Sequence, residues 1–387
     1  MSTIYIIGLF LTLTLLAAQC GAPPTPPLPV TPAGPTIPIA LLVPNSGELA
    51  TFGRMAQNGS LMAFDEWNNR GGVLGYRLEE TIYGADCDFE SGRQAAQKAM
   101  AAGQRFIVGP LCSEAAIGAA TVITPGQVLL MAPAATHPLV TVDGQGQTRP
   151  TVFRTSYVWQ WQARAMAGFA YNTLKVKQAA ILTNPTDDYA AALVETFTQV
   201  FVDRGGQIVY QAAYTANDAE LADMLNAINR AGAGAIYLPA EAATVNRVAG
   251  QLEKLQFDPK LTLLGSDSWE SAELDLARAA GSYFPAHFVL DAPWPAAQTW
   301  AAAYKATYAV EPTTLAALSY DAVNLLAAAI NRTGTLKPAS IAQTLAQERF
   351  EGVTGAINYD SQHNPNKPVS IMYIDHGKII WAAVVSP

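Results

Sequence analysis

The chain has 387 residues, with 23 Lys+Arg against 31 Asp+Glu and a formal net charge of −8. That balance excludes the cationic face with which a nucleic-acid binder displaces counterions from phosphates, so no nucleic-acid partner is expected. Half of the residues are hydrophobic and 14% are charged, which excludes disorder for most of the chain and supplies a sizeable core; at roughly 100 to 200 residues per domain, about two domains are expected. Three cysteines (Cys20, Cys87, Cys112) and four histidines (His137, His287, His363, His376) stand at no metal-ligand spacing, so neither a metal nor a cofactor is expected.

Residues 4 to 18 are apolar apart from Tyr5, Thr12 and Thr14. The run suits a signal-peptide core and falls short of the roughly 20 residues of a membrane span. Residues 1–19 therefore read as an export signal. It ends in Leu16-Ala17-Ala18-Gln19-Cys20-Gly21, which resembles the lipobox of bacterial lipoproteins and implies lipidation at Cys20, with the lipid as the only membrane attachment. Gln19 and the lack of Lys or Arg before the run depart from that pattern, which leaves an ordinary cleaved signal or an uncleaved anchor as alternatives. From Gly21 to Pro38, prolines recur every two or three residues, so residues 20–38 read as a tether; a polyproline-like chain of this length reaches on the order of 50 Å.

The body alternates apolar runs with amphipathic stretches. Ile39–Val43 reads as a strand, Met55 to Trp67 as a helix, Leu78–Tyr83 as a strand and Glu90–Ala102 as a helix. Phe106–Val108 and Val128–Met131 follow as strands around a helix over Ala115–Val122. A second series has strands at Ala179–Thr183, Ile208–Ala212, Ala235–Leu238 and Leu261–Leu264, with helices at Ala190–Val202, Leu221–Ala231 and Thr244–Leu255 between them. Such alternation predicts parallel sheets covered on both faces, and two series predict two lobes. Ligands of open α/β sheets bind beyond the carboxyl ends of strands, here the loops 44–53, 109–114, 133–138, 184–189, 239–243 and 265–271. Those loops carry no G-x-x-x-x-G-K-[ST], G-x-S-x-G or H-E-x-x-H motif, and Gly71-Gly72-Val73-Leu74-Gly75 follows a helix, as a turn does and a phosphate cradle does not. Asp86-Cys87-Asp88 and Asp187-Asp188 pair carboxylates, but adjacent acids in a loop usually cap helices. The chain is not expected to be an enzyme.

An ordered set of short motifs is more specific than any one of them. It runs through Ser46-Gly47, Phe52-Gly53, Asn58-Gly59, Asn69 to Gly75, Asp86-Cys87-Asp88 and Gly109-Pro110-Leu111-Cys112-Ser113. It continues through Met131 to Pro138, Phe153-Arg154-Thr155, Asp188-Tyr189, Gly265-Ser266-Asp267 and Ser319-Tyr320-Asp321-Ala322. In these residues the body resembles the type I periplasmic solute-binding proteins of ABC transporters, specifically the branched-chain amino-acid (Leu/Ile/Val) binding family. The resemblance implies a two-lobe α/β fold of mostly parallel sheets with three crossovers near Ser156, Val289 and Gly352. The lobes would then be 39–156 with 290–352, and 157–289 with 353–387. It also implies a small-molecule ligand, an ABC permease as partner and an exported location at the membrane's outer face. A ligand sensor of the same fold for amides, urea or aromatic carboxylates is the first alternative, a hydrolase the second.

By the same resemblance, Ser113 and Thr136 hold a ligand carboxylate, the Ala134 carbonyl and Asp267 hold an ammonium, and Phe52, Tyr189 and Tyr320 shape the apolar part. Asp267 stands where the family has the longer Glu. Glu241, in Pro239-Ala240-Glu241, adds a carboxylate where the family has a tyrosine-rich stretch, which suits a larger or polar ligand side chain. Cys87 and Cys112 match the family's disulfide, and export makes one plausible. Read physically, Ser113 opens an Ala-rich helix whose free N–H groups suit an anion. Each assignment has a structural alternative: Ser113 as a helix cap, Thr136 as a brace of the His137-Pro138 turn, Asp267 as the cap of the next helix, and Tyr189 or Tyr320 as packed core. Trp159, Trp161 and Trp269 lie near the expected cleft, with core packing as their alternative.

Overall fold

A computed structural model describes residues 35–214, 217–257, 260–292 and 294–386. The signal segment, Cys20 and the tether up to residue 34 lie outside the described residues. In chain order the first elements are β1 (Thr36–Val43), α1 (Ala50–Asn69), β2 (Arg77–Gly84), α2 (Phe89–Ala101), β3 (Phe106–Val108), α3 (Ser113–Val122), β4 (Leu129–Ala132) and β5 (Val152–Arg154). Then come α4 (Trp159–Asn172), β6 (Gln178–Thr183), α5 (Asp188–Asp203), β7 (Gln207–Ala213), α6 (Asp218–Arg230), β8 (Ala235–Tyr237), α7 (Ala242–Leu255), β9 (Thr262–Leu264) and β10 (Tyr283–Ala286). The chain closes with α8 (Pro295–Tyr308), α9 (Thr314–Thr333), α10 (Pro338–Gln347), β11 (Phe350–Gly352), β12 (Gly355–Tyr359), β13 (Pro365–Asn366), β14 (Val369–Asp375) and β15 (Lys378–Val385).

The first sheet has the order β2-β1-β3-β4-β5, with every pair parallel. Alternate residues of β1 explain why its sequence is apolar throughout: Ile39 and Leu41 pack with α1 and α9, Ala40 and Leu42 with α2 and α3. A strand covered on both faces has no polar side to display. Helices α2 and α3 approach closely because glycines face them. A Cβ on Gly92 would lie 2.0 Å from the Ala115 carbonyl oxygen, and one on Gly118 2.0 Å from that of Phe89. This contact seats the start of α3, where Ser113 lies.

The second sheet has the order β15-β14-β10-β9-β8-β6-β7, parallel from β7 through β10 and antiparallel at β14 and β15. Its core again divides between faces, with Phe169 and Phe197 of α4 and α5 on one side and Leu225 and Val248 of α6 and α7 on the other. The architecture is thus the mixed α/β one expected, parallel sheets flanked by helices.

Two boundaries differ from those expected. Strand β1 begins at Thr36, inside the end of the proline-rich stretch. Pro38 is accommodated because β3 joins only from Ala40 onward, so the missing N–H falls where β1 has a single neighbour. The strands after Gly352 also stay with the first sheet. β11, β12 and β13 form a small antiparallel sheet whose Ile357 and Tyr359 enter the first core, and the Tyr359 hydroxyl donates to the Arg154 carbonyl at 3.0 Å. The final passage to the second sheet therefore lies at Lys367-Pro368, between β13 and β14, and not near Gly352.

Candidate functional site

Contacts through His137, Trp159, Tyr189 and Asp267 link the loops after β3 and β4 of the first sheet to those after β6 and β9 of the second. On the first sheet, β3 runs into the loop that carries Cys112 and Ser113. Ser113 is the first residue of α3, and the capping position belongs to Cys112, which makes no side-chain cap. The Ser113 hydroxyl instead accepts from the His137 amide at 3.2 Å, which leaves its own hydrogen for another acceptor, beside the positive end of the helix. Cys87 and Cys112 are joined by a disulfide with Cα atoms 5.1 Å apart. Asp88, one residue from that bond, caps α2 by accepting from the Ser91 amide at 2.8 Å, so this acid is structural.

The loop after β4 carries Ala134 and Thr136. Pro133, Ala135, Thr136 and His137 all use their carbonyls, to Ser156 N, Arg154 Nη1, Trp159 N and Arg154 Nη2 at 2.9, 3.0, 3.1 and 2.9 Å. Among the described residues the Ala134 carbonyl between them has no such donor, and the Thr136 hydroxyl has no partner, so bracing the turn is not what it does. Arg154 holds this loop from beneath: wholly buried, it also reaches Pro138 O at 3.3 Å and Thr141 Oγ1 at 3.1 Å. Burial brings its guanidinium down to about 9, against the upward pull of Asp360.

On the second sheet, Asp267 follows β9 and opens a single 3-10 turn (Asp267–Trp269). It does not cap that turn. Its carboxylate accepts from the Tyr189 hydroxyl and lies 3.2 Å from His287 Nε2, while its amide donates to Gln162 Oε1 at 2.8 Å. Gln162 Nε2 in turn donates to the Tyr189 hydroxyl oxygen at 3.2 Å. Burial pushes the Asp267 carboxyl up, but the His287 hydrogen bond and charge, then Tyr189 and Gln162, outweigh it and hold the group below the usual carboxylate range. His287 is pushed down by burial, and its ring stacks on Tyr157 with centroids 3.5 Å apart. Because a carboxylate can only accept, the Nε2–H of His287 is the donor in this contact.

Glu241 stands just before α7 with no capping bond, and the neighbouring Ala240 carbonyl accepts from Ser268 Oγ at 3.1 Å, tying its loop to that of Asp267. Burial, then Asp187 and Asp267, raise the Glu241 carboxyl. Phe52 lies on the first turn of α1, 49% exposed.

Tyr320 is not brought to this set. Its hydroxyl donates to Glu66 Oε2 at 2.8 Å and its ring lies 5.1 Å from Trp300, so it lines a separate groove of about 840 Å3 between α1, α8, α9 and β11. The face of α9 that carries Tyr320 meets α1 and α8. Trp269 is wholly buried and donates to Leu238 O at 3.2 Å, and Trp161 donates to Lys367 O at 2.8 Å, so both serve packing.

Four partners were not legible as site residues: Arg154 in that role, Gln162, His287 and Tyr157. Trp159 joins the walls, its ring centroid 4.4 Å from His137 and 5.8 Å from Tyr189. The arrangement can grip charges of both signs: hydroxyls and a helix terminus on one side, an anionic carboxylate on the other. Among the described residues there is no cluster of His, Cys, Asp or Glu able to hold a metal ion, and no helix is long and apolar enough to cross a membrane.

Comparison with known proteins places the chain by its sequence and fold. The chain is 28% identical to the Leu/Ile/Val-binding protein BraC3 of Rhizobium johnstonii, over 96% of this chain and 98% of that protein. It is 26% identical to the leucine-, isoleucine-, valine-, threonine- and alanine-binding protein of Pseudomonas aeruginosa, over 85% and 87% of the two. Among solved structures it superposes on the leucine-binding protein LivK of Thermotoga maritima with a TM-score of 0.73 at 28% identity, covering 91% of this chain and 99% of that one. The isoleucine complex of LivJ from Streptococcus pneumoniae gives a TM-score of 0.73 at 27% identity, with coverages of 91% and 100%. The model of the family described as periplasmic binding protein matches residues 36–378, and the chain belongs to that family.

Proposed function

We propose that this chain is the extracytoplasmic substrate-binding lipoprotein of an ABC importer and that it closes two lobes on an amino acid. The single observation that carries the reading is the pairing of opposite polarities across the loops. The α3 terminus with Ser113 and the Thr136 hydroxyl suits a carboxylate, and Asp267, held anionic, with the unengaged Ala134 carbonyl suits an ammonium. Relatives over nearly the whole chain are named for leucine, isoleucine and valine, which supports an aliphatic amino acid as the first ligand to test. Tyr189 and Phe52 supply apolar contact, and Glu241 leaves room for a ligand with a polar side chain. Loops from both sheets touching one ligand favour the closed form by their differential contacts, and the closed form is what a permease reads. Lipid at Cys20 and the proline-rich tether would keep the body near that permease.

The direct test is a thermal-shift screen over amino acids, amides and carboxylates, followed by calorimetry. Stabilisation by one or more amino acids, in preference to the matching amine-free acids, is expected. Stabilisation only by amides or amine-free carboxylates would move the protein to a sensor or carboxylate carrier of the same fold. For the anchor, mass spectrometry of membrane-extracted protein should find a diacylglyceryl-modified N-terminus at Cys20; a soluble mature chain starting elsewhere refutes it.

A further inference from the structure

The indole N–H groups of the tryptophans divide into those with a protein acceptor and those without. Trp67, Trp161, Trp269 and Trp294 donate to Asn324 Oδ1, Lys367 O, Leu238 O and Val353 O at 2.8, 2.8, 3.2 and 3.1 Å. Trp159 Nε1 is buried without an acceptor among the described residues, on a side chain only 8% exposed. Trp300 and Trp381 share that condition, but Trp300 borders the groove beside α8 and Trp381 lies on edge strand β15. Only Trp159 of the three stands among the site loops.

Its placement is specific. The Trp159 amide donates to the Thr136 carbonyl at 3.1 Å, so the residue is fixed beside the loop assigned to the ligand's anionic end. The ring lies against His137, whose own amide donates to Ser113 Oγ, and against Tyr189, whose hydroxyl donates to Asp267. A continuous path thus runs from Ser113 through His137, Trp159 and Tyr189 to Asp267. A buried donor without an acceptor is destabilising, so in a native site it calls for a partner, which a water, an ion or a ligand can supply. The nearby protein carboxylate does not serve as that partner: Asp267 receives Tyr189 and His287 and makes no bond to Trp159 Nε1.

We propose that Trp159 is a ligand-binding residue whose indole N–H donates to the carboxylate of the bound solute, beside Ser113 and Thr136, while its ring face walls the space for the rest of the ligand. The inference rests on the amino-acid reading above and adds a donor that the resemblance did not supply. Because the ring spans both walls, it also links the anion grip to the cation grip, and a ligand that satisfies the N–H does so at the point where the two sheets' loops meet.

The test uses the full chain and L-leucine as the first probe, with the other standard L-amino acids in the same screen. In a nitrogen-15 spectrum of the indole groups, the Trp159 Nε1–H signal is expected to shift downfield on binding, while the Trp300 signal stays in place. Trp159→Phe, which keeps a ring and removes the donor, is expected to weaken binding roughly tenfold, the range of one hydrogen bond to a charged group; Trp300→Phe should change it less than twofold. If Trp159→Phe fails to fold, the wild-type spectrum still decides, its signal being assigned by through-space contacts to His137 and Tyr189. An amino acid that binds the wild type while the Trp159 signal stays unmoved, or that binds Trp159→Phe as tightly, overturns this inference and leaves the amino-acid reading standing. A wild type that binds no amino acid overturns both.

Discussion

The two walls of the site are built from different materials. The first is largely main chain: a helix terminus, a free carbonyl and two hydroxyls, fixed by a disulfide at Cys112 and by Arg154, whose guanidinium fastens the loop after β4. The second is a network of side chains, in which Asp267 is aimed by Tyr189, His287 and Gln162. A main-chain wall keeps its chemistry when a side chain changes but fails when its scaffold does. A side-chain wall can change its ligand by single substitutions. The Asp in place of the family's Glu, and Glu241 in place of a tyrosine-rich stretch, both fall on the second wall, where the ligand is expected to be chosen.

Breaking the scaffold of the first wall should give the largest effect. Arg154→Ala removes a fully buried side chain and its four hydrogen bonds to the 135–141 loop. A destabilisation of about 4 kcal/mol is expected from the cavity and the lost bonds together, measured by denaturant unfolding. A loss under about 1 kcal/mol would show that the loop is held without it. Reduction of Cys87–Cys112, which closes a 25-residue separation, should cost about 3 kcal/mol by chain-entropy arguments and lower Tm. Two free thiols in the native exported protein would end that expectation.

Breaking the second wall should cost binding before it costs stability. Asp267→Ala is expected to weaken amino-acid binding tenfold or more, as a hydrogen bond to a charged group is worth roughly 1.5 to 3 kcal/mol, and to spare the matching acid that lacks the amine. Calorimetry on both proteins with both ligands decides. Equal losses for the two ligands would assign Asp267 to folding and not to the ammonium.

The difference between the walls also explains what the sequence disclosed. Strands β1, β3, β4, β6, β8 and β9 are buried on both faces, so continuous apolar runs located them; α3 began two residues earlier than the run from Ala115 suggested because Ser113 and Glu114 are polar. The small sheet β11-β12-β13 has short strands with mixed exposure and offered no such run. Ser113, Thr136 and Asp267 could be picked out as candidates because each lies in the loop after a strand or at its far end, in a motif that resembles a known family. Gln162 and His287 were not, since they reach Asp267 across 105 and 20 residues of chain and nothing local marks them. Tyr320 matched the motif as well as Tyr189 did, but where a residue of a largely buried helix points is decided by packing against α1 and α8, which a linear pattern does not record.

The smallest effect expected separates Asp267 of the second wall from Glu270, a carboxylate three residues further along the chain. Asp267 is held below its ordinary range by His287 and Tyr189 against burial, so its contribution to stability is complete above the unfolded value and lost as pH falls through the folded one. Glu270 goes the other way. Burial raises it to about 7 from 4.5, against the Thr314 hydroxyl that donates to it at 2.8 Å, and Asp267 adds to the rise. With the folded value above the unfolded one, the folded state binds more protons between 4.5 and about 7, so this group's contribution declines as pH rises across that window and is level above it. The Glu270 side chain keeps contact with solvent although the atoms crowded about its carboxyl raise it, and solvent screening keeps the change small. Glu270→Gln should therefore flatten the stability profile only between pH 4.5 and about 7 and leave the acid limb set by Asp267 intact. Thermal melts of both proteins across that range test it: parallel profiles would mean that Glu270 titrates like a free side chain and adds its negative charge to that of Asp267 near neutral pH.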